Sequence, residues 1–103
     1  SGPRAALWAA EQAVKQAIKA HMDAGNALRA KGDFAGAAKA FEQAAQADPK
    51  DVNAHMAHGS ALMSLRDWEG AEAAARRAID AAPLHFGAHM NLALALRNKQ
   101  DWD

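Results

Sequence analysis

The chain of 103 residues is half apolar, and its 12 lysines and arginines balance its 12 aspartates and glutamates. A net charge of zero argues against nucleic acid or an anionic membrane as the main partner, because both select a basic excess. The absence of cysteine excludes a disulfide framework, and no apolar run approaches the roughly 20 residues of a membrane-spanning helix. We therefore expect no membrane insertion and favour the cytoplasm as the compartment.

Helices are the only regular elements that the composition predicts. Alanine, the strongest helix former, supplies most of the apolar residues, whereas residues that favour strands are nearly absent. The predicted fold is all-α, with helices near residues 18–31, 34–47, 52–65, 68–81 and 86–99. Four aspartates occupy N-cap positions and two prolines end helices: the caps are Asp33, Asp51, Asp67 and Asp101, and the stops are Pro49 and Pro83.

The first helix has no stop signal on its N-terminal side. No glycine or proline lies between Pro3 and Gly25, and apolar residues recur there at helical spacings of three and four. One interpretation is a single long helix near 4–31. The other is a truncated preceding repeat unit, with Leu7 and Ala10 in the places that Phe41 and Ala44 hold 34 residues later. It would need a turn around residues 14–17. The long helix is favoured, because no residue of that segment is a turn former.

A repeat of 34 residues links the predicted helices. The tripeptide Ala-His-Met at residues 20–22 recurs at 54–56 and 88–90, and an Asp-aromatic pair recurs with the same offset. Small residues and helix stops follow the same period. Glycine inside a helix is unfavourable, so we expect the two helices of a unit to cross closely at the glycine, with the alanines of the second helix facing that crossing. These residues are Gly25, Ala37, Phe41, Ala44 and Pro49 in the first unit, and Gly59, Ala71, Ala78 and Pro83 in the second.

The chain resembles the tetratricopeptide-repeat family in this period and in these small residues. The resemblance implies a right-handed solenoid of helical hairpins with about five helices, the first extended at its N-terminus. It divides the chain into a helical extension at 1–17, units at 18–51 and 52–85, and the first helix of an incomplete third unit at 86–103. Histidine stands where the family has its tryptophan, at His21, His55 and His89.

The resemblance also implies a binding surface, since the first helices of this family line a concave face. We expect that face to bind a peptide or a partner protein. Methionines there would accept varied apolar side chains, and arginines would anchor a carboxylate. Methionine at helical spacing is also common in ordinary cores, so both interpretations stay open. The predicted binding residues are Met22, Asn26, Arg29, Met56, Ser60, Met63, Met90, Leu94 and Arg97.

Self-assembly is the main alternative function. Each unit of a repeat array buries one side against its neighbour, so an array that stops in mid-repeat leaves apolar surface uncovered. One explanation is that the chain is a fragment of a longer protein, and it could then be the scaffold part of a larger enzyme. The other is that a second copy covers the apolar surface in a homo-oligomer or a domain-swapped dimer. The predicted end-surface residues are Leu7, Val14, Leu92, Leu96 and Trp102.

No catalytic arrangement is recognisable in the sequence. It has no Ser/His/Asp context, no glycine-rich phosphate loop and no paired carboxylates of a pocket. Two histidine pairs, His55 with His58 and His85 with His89, have helical spacings that could hold a metal ion, but neither has an obvious third ligand. We therefore predict no enzyme, no metal and no cofactor, and packing or surface roles for the histidines. Histidines buried in the neutral form would lower stability at mildly acidic pH.

Overall fold

The computed structural model describes residues 2–102, and their only regular elements are five α-helices. The predicted all-α fold and the number of helices are confirmed. The helices are α1 at Pro3–Ala30, α2 at Phe34–Ala47, α3 at Val52–Ser64, α4 at Trp68–Ala81 and α5 at Phe86–Trp102. Within this described part, no helix is both long enough and apolar enough to cross a membrane.

The first helix is continuous, as the favoured interpretation predicted. Its 28 residues make it about 42 Å long, twice the length of the 14-residue α2 that packs against it. The N-terminal part of α1 therefore extends beyond α2, and residues 2–11 are all exposed. This projection contributes to the elongated shape of the molecule, whose principal extents are 57 × 32 × 17 Å.

Side-chain caps set the starts of the four later helices. A cap satisfies one of the first amides of a helix, which have no partner inside it. The Oδ1 atoms of Asp33, Asp51 and Asp67 accept hydrogen bonds from the amides of Gly36, Ala54 and Gly70 at 2.8, 3.1 and 2.9 Å. At α5 a histidine takes the place of aspartate, and Nδ1 of His85 accepts from the Ala88 amide at 3.2 Å.

The prediction that Asp101 caps a helix is wrong, because α5 continues through this residue to Trp102. In the two complete units the turn between helices contains a residue with positive φ, Gly32 at 82° and Arg66 at 61°. Their 34-residue counterpart is Gln100, which remains helical. The left-handed conformation costs a non-glycine residue about 1–2 kcal/mol. Among the described residues no helix follows α5 to pack against it and offset that cost, and α5 continues through this position.

Small side chains form the core, so the helices approach closely. The predicted contact alanines Ala37, Ala44, Ala71 and Ala78 are all buried, which confirms their expected role. Phe41 is the one large side chain among the described residues that is completely buried. It packs with buried alanines of α2 and α3 and with half-buried leucines and methionine around them.

The tightest crossing of two helices occurs at Gly25. A Cβ atom on this residue would lie 2.6 Å from Cδ1 of Phe41, much closer than van der Waals contact. At Gly59 a Cβ atom would lie 3.4 Å from Cβ of Ala74, an ordinary contact. The two glycines differ because Ala75 occupies the 34-residue counterpart of Phe41. The predicted close crossing therefore exists in the first unit and is looser in the second.

Candidate peptide-binding surface

The three first helices form one curved layer. α3 contacts both α1 and α5, whereas α2 and α4 make no direct contact with each other in the part of the chain that the structure describes. A layer whose helices touch must lie on the inside of the curve, and a layer whose helices are spread must lie on the outside. The face formed by α1, α3 and α5 is therefore the concave face.

The nine predicted binding residues lie on these three helices in rows related by the 34-residue repeat. None of them is fully buried. A row crosses from α1 through α3 to α5, so its three members lie side by side on neighbouring helices. The rows are Met22, Met56 and Met90; Asn26, Ser60 and Leu94; and Arg29, Met63 and Arg97.

The methionine row has two roles at once. Met22 is half-buried and packs against both core clusters of the first unit. Met56 reaches the start of α5, where its Cε atom would lie 2.8 Å from a Cβ added at Gly87. Met90 has no following first helix beside it within residues 2–102 and is 43% exposed. The row thus contributes to packing between elements, and each of its three methionines remains at least partly accessible.

Arg29 is held in place on this face by two neighbours. Its Nη2 donates a hydrogen bond to Oδ1 of Asn26 at 2.7 Å, and its Cζ lies 5.5 Å from the centre of the Phe41 ring. A guanidinium over an aromatic ring gains cation–π attraction and retains its other donors. The sequence predicted both residues as binding residues but did not predict that they bond to each other. Their i, i+3 spacing on one helix was the available signal.

Carboxylates are almost absent from the first helices of the units. Helix α3 has no Asp, Glu, Lys or Arg. The carboxylates between residues 18 and 30 and along α5 are Asp23 and Asp101. Nζ of Lys19 donates to Oδ2 of Asp23 at 2.6 Å, and this hydrogen bond raises the pKa of Lys19. Most of the remaining acidic side chains lie on the second helices or in loops.

The predicted end-surface residues are largely accessible. Leu7 is 61% exposed and Val14 39% exposed on the projecting part of α1, whereas Leu96 is 41% exposed and Leu92 half-buried on α5. The Trp102 side chain lies outside the described residues. Three alanines of α1 are also exposed although their counterparts in α3 are buried, which sequence reasoning missed. They are Ala20, Ala24 and Ala27, with the counterparts Ala54, His58 and Ala61.

Two of the repeated histidines bind the preceding loop. Nε2 of His55 donates to the carbonyl oxygen of Pro49, and Nε2 of His89 donates to that of Pro83, both at 2.7 Å. The proline that ends one unit thus also accepts a hydrogen bond from the next. These bonds give both rings a structural role, as we predicted for the histidines.

His55 and His58 of α3 are both buried, and they lie near residues of α2 and α4. They line a cavity of about 250 Å³ together with Glu42, Gln46 and Arg77. Nδ1 of His55 has no hydrogen-bond partner there. Burial lowers the pKa of His58, an effect that Arg77 and His55 reinforce and the acidic Glu42 and Asp67 oppose. No three His, Asp or Glu side chains of residues 2–102 are grouped so that they could hold a metal ion.

Comparison with known proteins gives one family. A family model described as tetratricopeptide repeat matches residues 2–52, 22–82 and 56–103, in three overlapping segments that together span nearly the whole chain. Among curated proteins, none is similar enough to count as a significant match.

Proposed function

Because the chain belongs to the tetratricopeptide-repeat family, we propose that its concave face holds an extended segment of another protein. Repeats of this family generally mediate protein–protein interaction and are typically non-catalytic scaffolds. The observation that supports the concave face is its combination of exposed polar side chains with accessible methionine and leucine surface. Flexible thioethers adapt to different apolar side chains, and the polar groups between them bond a peptide backbone.

A bulky residue in the middle of the face tests this proposal. Ser60 lies at the centre of the three rows, is exposed, and has neighbours on both sides. Ser60→Tyr should weaken peptide binding at least tenfold, because the ring fills the groove without entering the core. The matched control is Gln43→Tyr, which places the same ring on the exposed outer side of α2.

The binding assay starts from a phage-displayed library of random 12-residue peptides selected on the wild-type protein. The dissociation constants of the enriched peptides are then measured for both variants by fluorescence anisotropy. Loss of binding in Ser60→Tyr alone supports the concave face. Equal binding by both variants, or no enriched peptide at all, contradicts the proposal.

Self-association is a second candidate function, supported by the exposed apolar surface of α1. Trp8 is 64% exposed beside Leu7, and the exposed Ala20, Ala24 and Ala27 of α1 lie about three to five turns further along the helix. Burial of such a surface in a second copy would be favourable by about 25 cal/mol for each Å² of apolar area. Weight-average mass from light scattering should then rise with protein concentration.

Substitution of Trp8 by lysine should abolish that rise, because a charge would have to be buried in the contact. Leu84→Lys is the control, since Leu84 is 96% exposed in the loop before α5. A constant monomer mass over the whole concentration series would rule out self-association.

A further inference from the structure

We propose that the concave face selects a segment with two acidic side chains five or six positions apart, with an apolar side chain between them. This inference rests on the proposed function and specifies the chemistry of the ligand. It follows from the row of Arg29, Met63 and Arg97, one residue from each first helix. The row has a cation at each end and a thioether in the middle.

Arg29 is the better organised of the two cations. Its hydrogen bond to Asn26 and its position over the Phe41 ring fix the guanidinium before a ligand arrives. A side chain that is already ordered loses less entropy when it binds a carboxylate, and a guanidinium can bind both carboxylate oxygens at once. The 34-residue counterpart of Asn26 is Leu94, so Arg97 lacks this support.

Electrostatics of the face favour an acidic ligand. Neither arginine has an ion pair within the described residues, and Asp101, one turn beyond Arg97, does not form one. Asp23 of α1 already forms an ion pair with Lys19. Lys99, the remaining cation of α5, is paired with Glu69 and Glu72 of α4. Arg29 and Arg97 are therefore the positive groups that a ligand would meet.

The distance between the arginines sets the spacing in the ligand. Helices in contact have axes about 8–10 Å apart, so α1 and α5, on either side of α3, are separated by about 16–20 Å. An extended chain advances about 3.3 Å for each residue. Two acidic residues five or six positions apart would thus reach both guanidinium groups, and the residues between them would cross Met63 on α3.

Selection of a random peptide library against charge-reversed protein tests the inference. The library of 12-residue peptides is selected in parallel on the wild type, on Arg29→Glu with Arg97→Glu, and on a control with Lys39→Glu and Lys50→Glu. Both control lysines are exposed and lie outside the concave layer, in α2 and in the loop after it. Each double variant replaces two cations by glutamate, so the change in net charge is the same in both. Circular dichroism verifies that each variant is folded.

Wild type and control should enrich peptides with two Asp or Glu residues five or six positions apart, and the arginine variant should lose that preference. Individual acidic peptides should bind the arginine variant at least tenfold more weakly, with Arg29→Ala costing more than Arg97→Ala. If the enriched peptides show no preference for acidic residues, this inference is wrong, but the proposal that the concave face binds a peptide still stands. Failure to enrich any peptide overturns the proposed function as well.

Discussion

Gly25→Ala should lower the free energy of unfolding by about 2 kcal/mol or more, whereas Gly59→Ala should leave it unchanged or raise it by up to about 1 kcal/mol. Both changes add one methyl group inside a helix, where alanine is intrinsically about 1 kcal/mol better than glycine. At Gly25 the methyl group would overlap the ring of the completely buried Phe41. At Gly59 the methyl group would rest against Ala74 at normal contact distance.

Urea unfolding followed by circular dichroism measures both effects. The ring of Phe41 cannot move aside easily, because buried alanines of α2 and α3 pack around it. Overpacking of this kind typically costs 1–3 kcal/mol. Equal stabilities of the two alanine variants would show that the ring adapts, and would contradict the close crossing of α1 and α2.

Acidification should destabilise the protein through His58. Burial lowers the pKa of this imidazole below its ordinary value of 6.5. The unfolded chain therefore binds a proton at a higher pH than the folded chain does, and stability falls as the pH is lowered below about 6.5. The loss continues until the folded-state pKa is reached, with a slope of at most about 1.4 kcal/mol per pH unit for one proton.

Replacement of His58 by leucine should flatten this dependence. The residue lies where the tetratricopeptide repeat has leucine, so an apolar side chain of similar size suits the site. The control is Gln46→Leu, which places a leucine at the same cavity without removing a titratable group and should preserve the slope. Free energies of unfolding from urea titrations between pH 7.5 and pH 5 make the comparison. If the free energy of unfolding of the wild type were the same at pH 7.5 and at pH 5, that result would contradict a neutral, buried His58.

The sequence predicted the architecture well because the relevant signals repeat. One 34-residue step carries the cap Asp33, the stop Pro49 and the buried alanines of the first unit into the second, so each of these positions is supported twice. The long first helix was predictable for a simpler reason. No residue between Pro3 and Gly25 can end a helix, and the structure has none ending there.

The details that sequence analysis missed depend on distances between side chains. The repeat gives Gly25 and Gly59 the same position, and only the ring of Phe41 makes them different. Asp101 has the sequence context of a cap, yet a cap needs a turn, and the turn needs a second helix that packs behind it. The bond between Arg29 and Asn26 depends on rotamers that spacing alone does not determine.

Chemical-shift mapping by NMR is the most direct test of the concave binding face. A peptide enriched from the random library is added to uniformly ¹⁵N-labelled protein, and the perturbed amides are placed on the structure. The largest perturbations should fall on α1, α3 and α5, centred on Ser60 and extending to Arg29 and Arg97. Perturbations concentrated on α2 and α4, or on the projecting end of α1, would contradict a concave binding face.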